Sequence, residues 1–372
     1  MSEPAAFKYL TRMNERGASD IYLTVGKPAT LRVNDELEHW GDEILNEENV
    51  TSIIQSILTT KQKRDFQINM ELNTSLDLGE FGRFRVNILK QRQSPGLVIR
   101  RIQTQIPSFE DLKLPPLLEK LSMEKRGLIL LTGMTGSGKS TTLASMLDYR
   151  NRHQSGHILT IEDPIEYYHE HKKSVVTQRE VGVDTSSYEV ALKNSLRQRP
   201  DVILIGEIRD KEVMEQALTI AETGHLCLAT LHTSNAYQAI ERIVNFFPED
   251  QSKQIRLNLS MNLKAIISQR LLPKVGGGLV PALEIMINEA LVRELITKGN
   301  YEKITDVMEA NNKIGMRSFD QSLIELYSDN LITEETVLSQ ADKASDMKVK
   351  MQSIQLGQDG SDLSNIDTSI FK

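Results

Sequence analysis

The run Gly133-Met134-Thr135-Gly136-Ser137-Gly138-Lys139-Ser140 is a complete G-x-x-x-x-G-K-[ST] phosphate loop, and it constrains what must lie on either side of it. Such a loop cradles a polyphosphate only when a buried strand delivers it and a helix leaves from it. The sequence meets both conditions. An apolar run, Gly127-Leu128-Ile129-Leu130-Leu131, comes before it, and the following Thr141-Thr142-Leu143-Ala144-Ser145-Met146-Leu147 is compatible with a helix. Loop amides and the positive end of that helix would then point at the same phosphates. Lys139 would reach the β- and γ-phosphates and Ser140 would ligate Mg²⁺, with Gly133, Thr135, Gly136, Ser137, Gly138 and Thr141 completing the cradle. A nucleoside triphosphate is the expected ligand.

A chain of 372 residues leaves room for two or three domains, each able to bury a core. At 39% hydrophobic and 26% charged residues, its composition is that of a globular protein. No apolar stretch of about 18 residues occurs, and Met1-Ser2-Glu3-Pro4-Ala5-Ala6 lacks the basic and apolar regions of an export signal, so a cytoplasmic location is expected. The single cysteine, Cys227, lies in the apolar run Leu226-Cys227-Leu228-Ala229, which reads as a buried thiol and excludes a disulfide or zinc framework. The net charge of −7 argues against nucleic acid as the principal partner.

Residues 1–105 read as a small α+β module, with strands at 20–24, 29–33, 71–78, 82–90 and 96–103 and a helix across 47–60. Pro107, Pro115 and Pro116 punctuate 106–118, the expected linker. From 119 to 275 apolar runs alternate with helical patterns, which indicates a parallel α/β sheet, and 280–344 reads as largely helical, so that a second domain spans 119–345. The end of the chain is rich in Gln, Ser, Asp and Gly, and a disordered tail is expected over 346–372.

In open parallel sheets, ligands gather at the carboxyl ends of the strands. The run His157–Ile161 ends in Glu162-Asp163-Pro164-Ile165-Glu166, the run Asp201–Gly206 ends in Glu207, and the run His225–Leu231 ends in His232. Glu207 is placed as a Walker B carboxylate that would hold Mg²⁺ together with Ser140. Three carboxylates within the five residues from Glu162 demand a positive neighbour, either Mg²⁺ or arginine. Glu162 and Glu166 are equal candidates for activating water. His225 and His232 stand on the order of 23 Å apart if extended, so they cannot form a metal pair; His232 is at the nucleotide end, and His225 reads as a solvent or core residue. Between 82 and 101 stand Arg83, Arg85, Lys90, Arg92, Arg100 and Arg101 with no acidic residue. They form either a solvated sheet face or a source of guanidinium groups for phosphates.

The phosphate loop, the boxes Ile161–Glu166 and Ile205–Asp210, and the histidine box running from Thr223-Gly224-His225 to Leu231-His232-Thr233 together resemble the motifs of the secretion-superfamily ATPases, specifically the PilT-like type IV pilus retraction ATPases. The likeness spans residues 5–345 and is greatest to the accessory, PilU-type branch, through Val176–Thr185 and Phe246-Phe247-Pro248. The resemblance implies an N-terminal PAS-like α+β domain joined to a C-terminal RecA-like ATPase domain, assembled as a homo-hexamer. It implies ATP and Mg²⁺ as ligands, Glu166 as the catalytic glutamate, Glu207 as the Walker B glutamate, and a site role for His225 as well as His232. Arginines of the N-terminal domain reach the nucleotide in this family, and Arg85 and Arg100 match them, with Arg83 and Arg101 as neighbouring candidates. The implied partners are a paralogous PilT-like ATPase and the inner-membrane platform protein of the pilus, met from the cytoplasmic side at the pilus base. One stretch departs from the family pattern: Ala290-Leu291-Val292-Arg293-Glu294-Leu295 stands where retraction ATPases carry Ala-Ile-Arg-Asn-Leu, which puts independent retraction in question.

Three other readings share parts of this pattern. Pilus-extension and type II secretion ATPases have the same boxes, but most carry a four-cysteine zinc module that a chain with one cysteine cannot form. A nucleic-acid translocase shares the core and conflicts with the acidic balance. A non-enzymatic accessory subunit of a PilT-type ring conflicts with the completeness of the boxes. No [NT]-K-x-D motif for reading guanine is present.

Overall fold

The computed structural model describes residues 5–34 and 36–358, and in it the chain divides into two compact units. The first runs up to Ile106 and includes Pro164–His169 and Arg179–Ser187; the second holds Pro107–Asp163, Glu170–Gln178 and the chain from Tyr188 onward.

The first unit is built on β1 (Asp20–Thr24), β2 (Thr30–Val33), β3 (Glu36–His39), β4 (Glu71–Asp77), β5 (Arg83–Gln91) and β6 (Ser94–Ile102), ordered β3-β2-β1-β6-β5-β4 with antiparallel neighbours. Strand alternation sorts β5: Phe84, Val86 and Ile88 are buried, while Arg83, Arg85 and Asn87 take the other face. The apolar face packs under the helices Phe7–Arg16 and Glu47–Ile57, which bury Tyr9, Leu10, Met13, Val50, Ile53 and Ile54. The opposite face carries one cross-strand row, Arg32–Asp20–Arg100–Arg85. The helix expected across 47–60 ends at Ile57, and a second helix, Thr60–Asn69, starts from its own capping box at Thr59 and Gln62. Strand β3 was not anticipated.

The second unit carries β7 (Gly127–Thr132), β8 (Gly156–Glu162), β9 (Ser174–Glu180), β10 (Val202–Ile205), β11 (Leu226–Leu231), β12 (Leu263–Pro273) and β13 (Leu279–Ile287), ordered β13-β12-β7-β11-β10-β8-β9. Strands β12, β7, β11, β10 and β8 run parallel, and every residue of β7 and β11 is buried, as strands covered on both faces must be. The register places Thr132 beside Leu231 and Ile205 beside both Ala229 and Ile161. The residues that follow β7, β11, β10 and β8 therefore emerge at one end of the sheet.

Three expectations are corrected here. The stretch from 280 does not begin as helix: β13 pairs antiparallel with β12 across the Gly276–Gly278 turn, and helices follow only from Ala290. The stretch 106–118 is not a free linker, because Phe109, Leu114 and Leu118 are buried in the core of the second unit. The expected disordered tail is a helix, Ala344–Gln358, as far as residue 358, and Met347 and Met351 pack with Phe319, Leu323 and Val337. Their i, i+4 spacing puts them on one helical face. The remainder of that tail, 359–372, lies outside the described residues.

Candidate active site

Two constellations carry the candidate chemistry, one in each unit. In the second unit the helix Lys139–His153 leaves directly from the phosphate loop, with Gly138 at its N-cap, so the free N–H groups of its first turn face the loop. Two glycines there are required by close approach. A Cβ on Gly133 would stand 2.4 Å from Ser137 Oγ and 2.5 Å from the carbonyl of Gln269; on Gly138, at φ +86°, it would stand 2.7 Å from Gln269 Nε2. Gln269, on β12, also accepts from Thr142 Oγ1 at 2.8 Å, so β12 braces the loop from behind.

Lys139 is buried and donates to the carbonyls of Gly133 (2.8 Å) and Met134 (3.0 Å). Burial pulls its ammonium below the ordinary lysine value, with Glu207 opposing. A buried cation whose bonds are to neutral carbonyls is suited to an incoming anion. Ser137 Oγ is buried with no hydrogen-bond partner at the same loop. A cavity of 360 Å³ opens beside Gly133–Ser137, lined also by Ser234, Gln269 and Arg270; another of 270 Å³ lies on the far side of Gly138 against Leu112, Leu114, Leu271, Val280 and Pro281. The first borders the phosphate-loop residues, and the second sets these apolar walls beside Asp111, Lys113, Thr141, Thr142 and Lys274.

At the neighbouring strand ends, Glu207 follows β10 and His232 follows β11. His232 Nε2 lies 3.2 Å from Glu207 Oε1, and Arg209 Nε donates to Glu207 Oε2 at 2.7 Å while its other end reaches Asp163 at 3.3 Å. Arg209 thus supplies the positive partner that the crowded carboxylates demand, and its guanidinium is pushed above its usual value, chiefly by the Glu207 hydrogen bond. His232 is held below the ordinary histidine value, first by burial and then by Lys139, against the pull of Glu207. The contact with Glu207 is therefore a neutral imidazole N–H donating to a carboxylate. Asp210 is used structurally, capping the helix Lys211–Glu222 at Val213 N (2.9 Å).

Among the described residues no group of three or more His, Cys, Asp and Glu could hold a metal ion unaided. Mg²⁺ uses one or two protein oxygens and takes the rest from phosphates and water. Ser140, exposed in the first helical turn, and Glu207 are the oxygens present.

Glu162 and Glu166, equal by sequence, are separated by the fold. Glu162 ends β8 and accepts from Thr160 Oγ1 (2.6 Å) and Gln178 Nε2 (3.2 Å) in the second unit. Glu166 is exposed and belongs to the first unit, in a segment tied to β6 by Tyr168 N donating to the Gln103 carbonyl at 3.0 Å. There Arg100 donates from Nε to buried Asp20 at 2.7 Å, and its guanidinium is raised first by that bond and also by Glu166. Arg85 stands directly opposite Arg100 in the β5–β6 register. Like charges so placed repel, which leaves the pair suited to an anion. Arg83 is engaged otherwise, with Asp77 at 2.7 Å and over the ring of Tyr168 at 3.8 Å. His225 is at the amino end of β11, hydrogen-bonded to Thr223 Oγ1 (3.1 Å), and the fold does not bring it to the phosphate loop.

Sequence reasoning missed Tyr188. Its buried hydroxyl has no hydrogen-bond partner, lies 2.8 Å from where a Cβ on Gly206 would be, and feels the charges of Asp163, Glu162 and Glu207; burial, the largest cause, pushes its pKa well up. No motif around Tyr188 could have signalled this, because the contact arises from packing. Gln269 was missed for the same reason.

The profile of a family described as Type II/IV secretion system protein matches residues 4–279. The chain is 47% identical over 346 residues to the type IV pilus ATPase PilU of Pseudomonas aeruginosa, an alignment covering 93% of this chain and 91% of that protein. It is 42% identical over 327 residues to the type IV pilus retractation ATPase PilT of the same organism, covering 88% and 95%. A crystal structure of the pilus retraction motor PilT with bound ADP superposes with a TM-score of 0.87 at 41% identity, covering 94% of this chain and 100% of that one.

Proposed function

The chain belongs to the type II/IV secretion system protein family, and we propose that its two constellations together carry out Mg²⁺-dependent ATP hydrolysis. Within the family it is a pilus retraction ATPase. The observation that carries the mechanism is the junction of the phosphate loop with Glu207 and His232 at adjoining strand ends.

The loop amides and Lys139 neutralise the phosphates, and the cavity beside Gly138 takes the base. Ser140 and Glu207 would hold Mg²⁺, which when bound offsets charge building up on the phosphate oxygens. His232, whose single N–H is held by Glu207 here, reads the γ-phosphate by turning that N–H to it when nucleotide is bound. Glu166 orients or deprotonates the attacking water, and Arg85 and Arg100 bring positive charge to the transition state. These last three groups lie in the first unit, which we read as PAS-like, while the second is RecA-like. They act in an assembled homo-hexamer, where hydrolysis is linked to movement of the ring. The partners consistent with this are a paralogous PilT-like ring and the pilus platform protein of the inner membrane, reached from the cytoplasm at the pilus base.

Phosphate release by the purified chain, with and without Mg²⁺, is the direct test. Release that depends on both ATP and Mg²⁺ supports the assignment, and its absence from a verified oligomer overturns it.

A further inference from the structure

Behind the nucleotide residues lies a buried carboxylate that the mechanism has not used. Glu284, on β13, is only 2% exposed. Its Oε1 accepts from the backbone N–H of Ala236 at 2.6 Å and from Ser268 Oγ at 2.9 Å. Ala236 is the first residue of the helix Ala236–Asn245, so its N–H has no partner within the helix; the Asn235 cap serves Gln238 instead, at 3.0 Å. Only Thr233, Ser234 and Asn235 separate Ala236 from His232. The same helix returns to the histidine through Arg242, whose guanidinium donates to the His232 carbonyl at 3.1 Å. The loop bearing His232 is therefore fixed to this helix at both ends, and Glu284 holds the start of the helix.

The other side of the contact leads to the phosphate loop. Ser268 is the cross-strand neighbour of Glu284 and, on its other side, of Thr132, the residue before Gly133. The next residue on β12, Gln269, takes the Thr142 hydroxyl. One carboxylate oxygen thus joins the brace behind the phosphate loop to the helix that anchors the histidine loop. Packing alone does not call for a carboxylate here, since burying one costs more than burying an apolar group. What the charge adds is a stronger bond to a helix N-terminus.

We propose that Glu284 is a positioning residue for nucleotide hydrolysis, setting the His232 loop against the phosphate loop through its bonds to Ala236 and Ser268. The inference rests on the ATPase reading and deepens it. Burial raises the Glu284 carboxyl to about 7, with Ala236 and Ser268 pulling it down, Asp342 adding to the rise and Arg270 opposing it. The charged form makes the stronger bond to Ala236, so positioning improves as pH rises through neutrality. Fold stability moves the other way. A carboxyl raised from 4.5 favours the native state when protonated, and that contribution is lost as pH rises through the folded value.

The test is steady-state ATP hydrolysis by the full chain between about pH 6 and 8.5, with melting curves under the same conditions. Wild type should show kcat rising through a limb near neutrality. Glu284→Gln keeps the acceptor and loses the charge, so it should show a severalfold lower kcat at pH 8, no limb, unchanged KM, and melting no lower than wild type. A Gln variant with the wild-type plateau and limb overturns the proposal, as does one whose loss lies wholly in KM. Ser268→Ala gives a second reading that does not depend on that variant folding. Without the hydroxyl that lowers Glu284, the limb should move to higher pH, and an unmoved limb counts against the proposal. Wild-type protein without any turnover would instead contradict the ATPase reading itself.

Discussion

Lys139 and Glu166 show how residues of one site differ in what they can be tested for. Lys139 is a buried cation hydrogen-bonded to its own loop, so Lys139→Ala should lose nucleotide binding and turnover together. Glu166 is exposed in the other unit and has no part in the cradle; Glu166→Gln should bind nucleotide with wild-type affinity and lose nearly all turnover. Equilibrium binding of a fluorescent nucleotide beside single-turnover hydrolysis separates the two, and a Gln variant that hydrolyses at the wild-type rate would transfer the water to another carboxylate. The phosphate loop was legible from sequence because each of its residue types answers a local demand: glycine where no Cβ fits, lysine for charge, serine for a metal oxygen. Tyr188, Gln269 and Glu284 were not legible. Each owes its place to packing against residues far away in sequence, and nothing in its neighbourhood along the chain marks it.

The same division holds for whole elements. β7, β10 and β11 could be read directly because parallel strands buried on both faces are unbroken apolar runs. β13 was hidden because Pro281 and Glu284 interrupt its run, although the glycines at 276–278 between two apolar stretches were a hairpin signal. The helix Ala344–Gln358 was hidden because its apolar content is sparse, yet Met347 and Met351 suffice to dock it beside Phe319 and Leu323. If that docking is part of the native fold, Met347→Ala and Met351→Ala should each destabilise the chain by about 2–5 kcal/mol, the usual cost of truncating a buried methionine. Urea unfolding measures this directly. A loss well under 1 kcal/mol from both variants would show that the helix contributes little to the core.

For the molecule as a whole, the proposed use of Arg85 and Arg100 ties hydrolysis to an assembly. The sheet face of the first unit presents Arg85 opposite Arg100, and buried Asp20 holds and orients Arg100. Charge that engages the nucleotide late acts mainly on the transition state, so Arg85→Ala and Arg100→Ala should lower kcat far more than nucleotide affinity, and activity should be confined to the oligomeric fraction in size-exclusion chromatography. A monomer fraction with full specific activity would dissociate turnover from assembly. The cellular task follows from one further contrast. The nucleotide boxes are intact, but the helix Ala290–Lys298 carries Ala290-Leu291-Val292-Arg293-Glu294-Leu295 where the resemblance leads one to expect Ala-Ile-Arg-Asn-Leu, and its Leu291 is exposed. A motor with its hydrolysis chemistry complete and its retraction element altered is expected to add force to a partner ring and not to replace it. Deleting this chain should then leave surface pili in place while lowering twitching speed and stall force. The Lys139→Ala variant, once shown by circular dichroism to fold, should fail to restore them. Cells that lose surface pili altogether would mark it as an extension motor, and normal retraction in cells lacking only the paralogue would show that it works unaided.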